Sequence, residues 1–415
     1  MKNKTFGLKT FKRTIKQGGT PGFLLVGYWF IQLLFARSRA DMGAVDSSAA
    51  VFAGYALLCG YFAYRSFKKG ELKRHFVHLL LMKTPLKWFI IYTIVCFFSS
   101  LWSPNPILSA YRAVECICML LLHAAVIKTL LENTDEKGCM HWGVCYSFIM
   151  ILLSIVRSKL AGYDLSTILY GLQFPATIFF YLAFFFSPAK WLKYPIEACA
   201  IFCHSVTGYC GMVLGMCSLM FGKRKYRILG GVIGVVVIGS IMTYGLDNVL
   251  NNTVFASKGG VIVNGRIDEN KTSGRDKLWT TVIEQIEDDG CLMTGYGFVV
   301  GEMEFARNLI GLQVIGLHNG FLSALVGSGL IGFVFFVIFI VSYVFLAFKK
   351  CVPKEYKSVL IASMCVVCMH TTGNPGLGFR VYGTWMPAMF IVMLNCGMYI
   401  RYRYKIGGST LIIKK

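Results

Sequence analysis

Two arginines nine residues apart, Arg266 and Arg275, and the pair His318–Asn319 are the residues of this chain best suited by type and spacing to do chemistry. Arg275 follows "TSG" and precedes "DKLWTTVIEQIE", Asp276 to Glu287, in which Leu278, Trp279, Val282, Ile283 and Ile286 recur at helical spacing. That puts Arg275 at the amino end of a short helix, where backbone N–H groups favour an anion. Arg266 is near enough to converge on the same ligand, and "GYGFVVGE" supplies glycines for a turn or a close backbone approach. His318, with an ordinary pKa of about 6.5, could take a proton from a hydroxyl or orient a ligand by hydrogen bonding. Asn319 could orient the imidazole or cap the helix that follows. Taken singly, each arginine reads equally as a solvated loop charge; taken together, the set reads as a diphosphate site with a proton acceptor. Displacing a group from a diphosphate builds negative charge on the leaving phosphate, and each well-placed donor there contributes roughly 3–4 kcal/mol. The stretch has no D-x-D metal signature. Its nearest approach, Glu302-Met303-Glu304, reads as one turn of acidic loop.

The elements that must position these residues are membrane helices. The 415-residue chain is 56% hydrophobic, has a mean hydropathy of +0.60 and is only 15% charged, against about 25% in soluble domains. Apolar runs predict an all-α polytopic fold of about twelve spans, at 22–36, 49–64, 86–101, 107–127, 140–156, 166–186, 194–206, 210–221, 228–244, 320–348, 358–372 and 382–400. The seventh and eighth are each short, and read as two helices folded back at "TGY", Thr207 to Tyr209. With twelve spans and both termini cytoplasmic, 30 of the 42 Lys and Arg residues fall inside and 12 outside, as the positive-inside rule requires. Residues 1–244 then form an N-terminal bundle of about nine spans, 245–317 a large outward loop, and 318–415 the last spans and a cytoplasmic tail. The loop holds 10 of the 20 acidic residues against six basic ones, consistent with a translocated segment. The net charge of +22 sits in short clusters between apolar runs, which is topology signalling rather than nucleic-acid binding. The inside carries 23 Lys and seven Arg, the outside eight Arg and four Lys. Either residue satisfies topology, but Arg presents the planar fork that grips phosphate in two places.

Within the spans, Arg112 and Glu115 lie at i, i+3 near the outer end of the fourth and read as a buried pair or as part of the site. His370, at the outer end of the eleventh, with Arg380 after it, reads as helix packing or as support for the site. The 15 cysteines fall mostly in apolar segments, and Cys365-x-x-Cys368 reads as packing rather than metal binding.

Four stretches carry a resemblance. "SGRDKLW" (Ser273–Trp279), "GYGF" (Gly295–Phe298) and "LHNGFLSALVGSGLIG" (Leu317–Gly332) resemble, in that order, segments of the O-antigen ligase and Wzy-type polymerase superfamily, with its SGR-x-x-x-W loop segment and HN-x-x-L opening of the next span. "SSLWSPNPILSAYRAV" (Ser99–Val114) is similar to the family's W-S-x-x-P…S-x-x-R stretch. The resemblance implies a GT-C-like, metal-independent, inverting glycosyltransferase of the bacterial inner membrane that needs no cofactor. Its donor would be an undecaprenyl-diphosphate-linked glycan at the outer face, its acceptor a glycan or lipid, and its neighbours other polysaccharide-assembly membrane proteins. The family's functional residues carry over to Arg275 and His318, and further to Arg266 and Arg112; apart from the resemblance, Arg380 is a further candidate for the phosphate grip, and Asn319, Trp279 and His370 are candidates for support. One departure is plain. The family's Ser-Arg-Gly turn at the seventh hairpin is replaced here by "TGYCG", Thr207 to Gly211, without an arginine. A polymerase, which extends a carrier-linked repeat, and a ligase, which passes finished glycan to a terminal acceptor such as a lipid A core, share this donor site. A transporter of the lipid-linked glycan would instead favour internal repeats and midplane polar sites, which the chain does not display.

Overall fold

A computed structural model describes residues 7–35, 47–70, 73–160, 162, 165–202, 206–222, 262–263, 266–267, 275–310, 317, 319–346, 348–349, 351–373, 376–381 and 383–404. The first ten helices are the basic, amphipathic α1 Leu8–Lys16 and the largely apolar α2 Gly19–Leu34, α3 Ser47–Phe67, α4 Lys73–Met82, α5 Leu86–Ser99, α6 Pro106–Asn133, α7 Glu136–Leu160, α8 Leu165–Phe186, α9 Lys190–Phe202 and α10 Val206–Gly222. After the long polar stretch come α11 Arg275–Asp288, α12 Val300–Ile310, α13 Gly320–Leu346, α14 Lys354–Gly373 and α15 Trp385–Arg403. The one sheet among the described residues is a two-residue antiparallel ladder that pairs Ile262 with Ile267 and Val263 with Arg266.

The helices pack around α15, in which every residue from Trp385 to Ile400 is buried. A helix apolar on all sides belongs in the middle of a bundle, and its first charged residue, Arg401, comes only at the last turn. Around it, α3 lies on α6, α5 on α13, α10 on α14, and α8 between α7 and α9. The start of α6 is set locally: Pro106 occupies the first turn, and Asn105 Oδ1 accepts from Leu108 N at 3.1 Å.

By length and composition, α6, α7 and α13 are each able to cross a membrane alone. Two bent pairs qualify jointly: 75–82 with 86–102, at 77°, and 190–202 with 207–219, at 119°. Up to five spans thus meet that test among the described residues, fewer than the twelve expected, while 228–244 lies outside them. Helices also occupy the stretches expected for the first, second, sixth, eleventh and twelfth spans. The 119° bend between α9 and α10 agrees with two folded-back helices, but not with a turn at "TGY". Thr207, Gly208 and Tyr209 lie inside α10. The reason is tertiary: a Cβ on Gly211 would stand 2.8 Å from Val366 Cα, so this small-residue start lets α10 press against α14 as a helix. The short helix α4 had no counterpart among the expected spans.

Candidate functional site

The outer-loop segments are fastened to α13 by an exchange of backbone bonds. Gly329 has φ 67° and ψ −175°, which breaks the helical run inside α13. In a regular helix Leu330 N would bond Val326 O. Here Leu330 N donates to Leu292 O at 2.9 Å, and Val326 O accepts from Tyr296 N at 2.7 Å. The "GYGF" stretch is therefore spliced into the ladder of α13, and the two groups freed by the kink are both satisfied. The glycines on both sides are needed for contact, because a Cβ on Gly295 would be 2.5 Å from Gly329 N.

The opposite side of "GYGF" is held by the stretch before and at the start of α6. Ser99 Oγ accepts from Phe298 N at 3.1 Å and donates to Cys96 O. Ser109 Oγ donates to Phe298 O at 2.8 Å, so the Ser103 hydroxyl, 2.7 Å away, must donate to Ser109. Trp102 Nε1 donates to Thr294 O at 3.1 Å. Gly297, at φ 101°, leaves room for Ser103, whose Cβ a side chain there would meet at 2.5 Å.

Helix α11 reaches the mouth of α13 through a small core of its own, made by Val282 and Ile286 against Phe305, Ala306, Leu317, Leu322 and Val326. Trp279 Nε1 donates to Leu317 O at 3.2 Å. Arg275 opens this helix, one turn or about 6 Å before Trp279. Leu317 immediately precedes His318. The backbone thus carries the SGR-x-x-x-W helix to the residue next to the histidine. His318 itself lies outside the described residues, as do the side chains of Arg275 and Arg266; Arg266 is placed only as the partner of Val263 in the ladder.

Asn319 caps α13. Its Oδ1 accepts from Phe321 N at 2.9 Å and Leu322 N at 3.2 Å, and its carbonyl from Ser323 N at 2.9 Å. Of the two roles weighed for this residue, capping is the one its hydrogen bonds show. The segment 376–381 folds over the same end: a Cβ on Gly378 would meet Gly320 O at 1.9 Å, and Tyr92 OH donates to Gly378 O at 2.7 Å. That segment brings in Arg380, which is 6% exposed.

Residues 197–337 match the family model described as O-antigen ligase. The match covers a third of the chain, including α11, α12 and the mouth of α13, and supports the O-antigen ligase/polymerase superfamily. It ends before Arg380 and begins after the Ser99–Val114 stretch. No curated protein matches the chain. With its long apolar helices and this family match, the chain is an integral membrane protein.

At the start of α6, outside the matched region, Arg112 forms a pair rather than standing free. Its Nη1 donates to Glu115 Oε2 at 2.9 Å, with Glu115 fully buried. Tyr28 OH lies 3.2 Å from Glu115 Oε1 and 3.1 Å from Val381 O, sharing one proton between them. The pair is therefore tied to the residue after Arg380. His370 is buried on the last turns of α14, its Nε2 2.7 Å from Thr177 Oγ1 and its ring edge-on to Phe174. Thr177 donates to Gln173 O, so His370 Nε2 is the donor to Thr177. These contacts are those of a packing residue in the bundle.

The site also holds a residue that the chain alone hid. Glu302, read as acidic loop, lies in α12 and is fully buried. Its Oε1 accepts from Ser323 Oγ at 2.7 Å and Leu317 N at 3.3 Å, while Oε2 has no hydrogen-bond partner among the described residues. Burial pushes this carboxyl up to about 8, against the pull of the two hydrogen bonds and the Arg380 charge. A signal did exist. In "VVGEMEFARNLI", Glu302 shares a helical face with Phe305 and Ala306 at i+3 and i+4, both buried.

Proposed function

We propose that this protein is a surface-polysaccharide polymerase of the bacterial inner membrane. It would transfer a glycan from undecaprenyl diphosphate, at the outer face, to the non-reducing end of a carrier-linked repeat unit. The single observation that carries this reading is the meeting of the three motif stretches at the mouth of α13: "GYGF" spliced into the helix, the Ser99–Ser109 region clasping it, and Trp279 bonded to Leu317 beside His318. Arg275 and Arg266 bind the diphosphate and stabilise the departing phosphate, with Arg380 adding positive charge; Arg112, neutralised by Glu115, braces the start of α6 beside them. His318 takes the proton of the acceptor hydroxyl, so that the sugar–phosphate bond breaks as the new glycosidic bond forms, with inversion and without a metal. The topology is twelve spans with both termini cytoplasmic, which puts 245–317 on the outer face. The description of the matched family favours a second reading, a ligase that hands finished glycan to a terminal acceptor. The two readings differ only in the acceptor.

Gel analysis of surface and carrier-linked glycans in cells lacking the gene separates the two. Single-repeat glycan in the deletion strain, restored to a ladder by the wild-type gene but not by Arg275→Ala or His318→Ala, is the expected result. Full-length polymer stranded on the lipid carrier would make the protein the ligase. Unchanged glycans refute both.

A further inference from the structure

The end of the bundle farthest from the mouth of α13 holds a cleft that the transfer reading does not use. The 27 residues of α13 put about 40 Å of helix between the two. The cleft lies between α13, α14 and α15 and encloses about 340 Å³, partly open to the outside, which is room for a small ligand or a lipid headgroup. Leu346 of α13 and Ile361 of α14 line it with apolar carbon, while Lys349 and Lys357 line it with positive charge. From α15 come Asn395 and Tyr399. Asn395 Nδ2 donates to Tyr343 OH of α13 at 2.5 Å, which ties the two helices together at the cleft. The Tyr399 hydroxyl accepts from Arg403 Nη1, and the Arg403 guanidinium lies 5.5 Å from the Tyr399 ring, so a third cation stands at the edge.

Charge and depth decide what fits. The stretches 344–353 and 394–415 contain no Asp or Glu, so the chain on either side of the cleft supplies no carboxylate to these cations. Glu136 is bound by Arg401 at 2.9 Å, Asp135 caps α7 by accepting from Gly138 N, and Glu355, exposed in the first turn of α14, is two residues from Lys357 and so on a different face. Helix α13 ends at Leu346, three residues before Lys349, and the exposed Phe345 and Phe348 flank that end. Where an apolar helix gives way to lysine, hydrocarbon gives way to headgroups. The apolar wall therefore lies at the depth of acyl chains and the lysines at the depth of phosphates. A soluble anion would gain nothing from the wall, and a zwitterionic lipid would set its own cation against the lysines. An anionic phospholipid uses both. We propose that the cleft is a binding site for an anionic phospholipid of the leaflet opposite the mouth of α13. Lys349, Lys357 and Arg403 hold its phosphate, an acyl chain lies along Leu346 and Ile361, and the lipid braces the three helices. The proposal goes beyond the transfer reading and rests only on the membrane placement of the chain.

The test is lipid binding by the full-length protein in detergent, followed by native mass spectrometry with phosphatidylglycerol or phosphatidylcholine of identical chains. The wild-type chain should bind phosphatidylglycerol about tenfold or more tighter than phosphatidylcholine. Each lysine beside a lipid phosphate contributes about fivefold, so Lys349→Gln combined with Lys357→Gln should weaken phosphatidylglycerol about 30-fold and leave phosphatidylcholine unchanged. Lys9→Gln combined with Lys12→Gln removes the same charge from the exposed face of α1 and should shift binding less than about twofold. Ile361→Trp keeps every charge but fills the cleft, and should also weaken phosphatidylglycerol; it decides the matter if the double lysine variant does not fold. Equal binding of the two lipids, or an equal loss from the α1 lysines, overturns the proposal. Displacement of the lipid by inorganic phosphate at constant ionic strength would make the cleft a soluble-anion site and overturns it too. No turnover is measured, so failure here leaves the transfer reading standing.

Discussion

Replacing Gly329 by alanine should undock the outer-loop segment from α13. The backbone there, at φ 67° and ψ −175°, lies in a region essentially reserved for glycine, and forcing a side chain into it costs about 1–3 kcal/mol. The new Cβ would stand 2.2 Å from Met293 O, a backbone atom that cannot swing aside as a flexible side chain would. Relieving the overlap means parting α13 from residues 292–296, which strands at least one of the two exchanged groups, Leu330 N and Val326 O. A buried backbone group left unpaired costs about 1–3 kcal/mol more. The sum, about 2–6 kcal/mol, corresponds to a shift of roughly 30-fold to more than 10,000-fold toward the undocked state. Gly327 provides the control two residues away, because a Cβ there would meet nothing closer than Phe298 Cα at 3.5 Å, an ordinary contact. In detergent-solubilised protein, limited proteolysis should expose residues 289–298 in Gly329→Ala but not in Gly327→Ala, and the Gly329 variant should lose its glycan ladder. A Gly329→Ala protein with the wild-type cleavage pattern and unfolding midpoint would refute the splice.

Two further outcomes follow from the same geometry. Asn319→Ala should weaken the start of α13 by about 1 kcal/mol, seen as a lowered unfolding midpoint, whereas Asn319→Asp, which keeps the capping oxygen, should not; equal effects would mean that the amide, not the cap, matters. Arg112→Ala leaves Glu115 buried with only the Tyr28 hydroxyl and should destabilise by about 3–5 kcal/mol, while Arg112→Ala combined with Glu115→Ala should be less damaging than the first change alone; a double variant at least as unstable as Arg112→Ala would show that the pair is not coupled.

How much was legible in the chain differs between elements. The helix at Asp276–Glu287 was readable because its apolar residues recur at 3.6 spacing, and the structure extends it by one residue at each end. The long apolar stretch after Gly320 was equally plain. The place where the short seventh and eighth helices part was not, because Thr, Gly and Tyr read locally as a turn. The contact of Gly211 with α14, which keeps them helical, comes from more than 150 residues away. Arg112 and Glu115 announced themselves as a pair by their i, i+3 spacing, but the third member, Tyr28, is 87 residues from Glu115.

The chain by itself determined that the protein is helical and belongs in a membrane, because hydrophobic runs and charge clusters are local properties that the bilayer reads one segment at a time. It also determined which residue types were present for phosphate and proton chemistry. Only the tertiary structure decided that "GYGF" completes the hydrogen-bond ladder of α13, that serines of the early stretch clasp it, and that a glutamate from α12 bonds Leu317 and Ser323 at the mouth of that helix. Each of these depends on backbone donors and acceptors or buried polar atoms finding partners far away in sequence. Such pairings exist only once the helices have packed and water has been excluded.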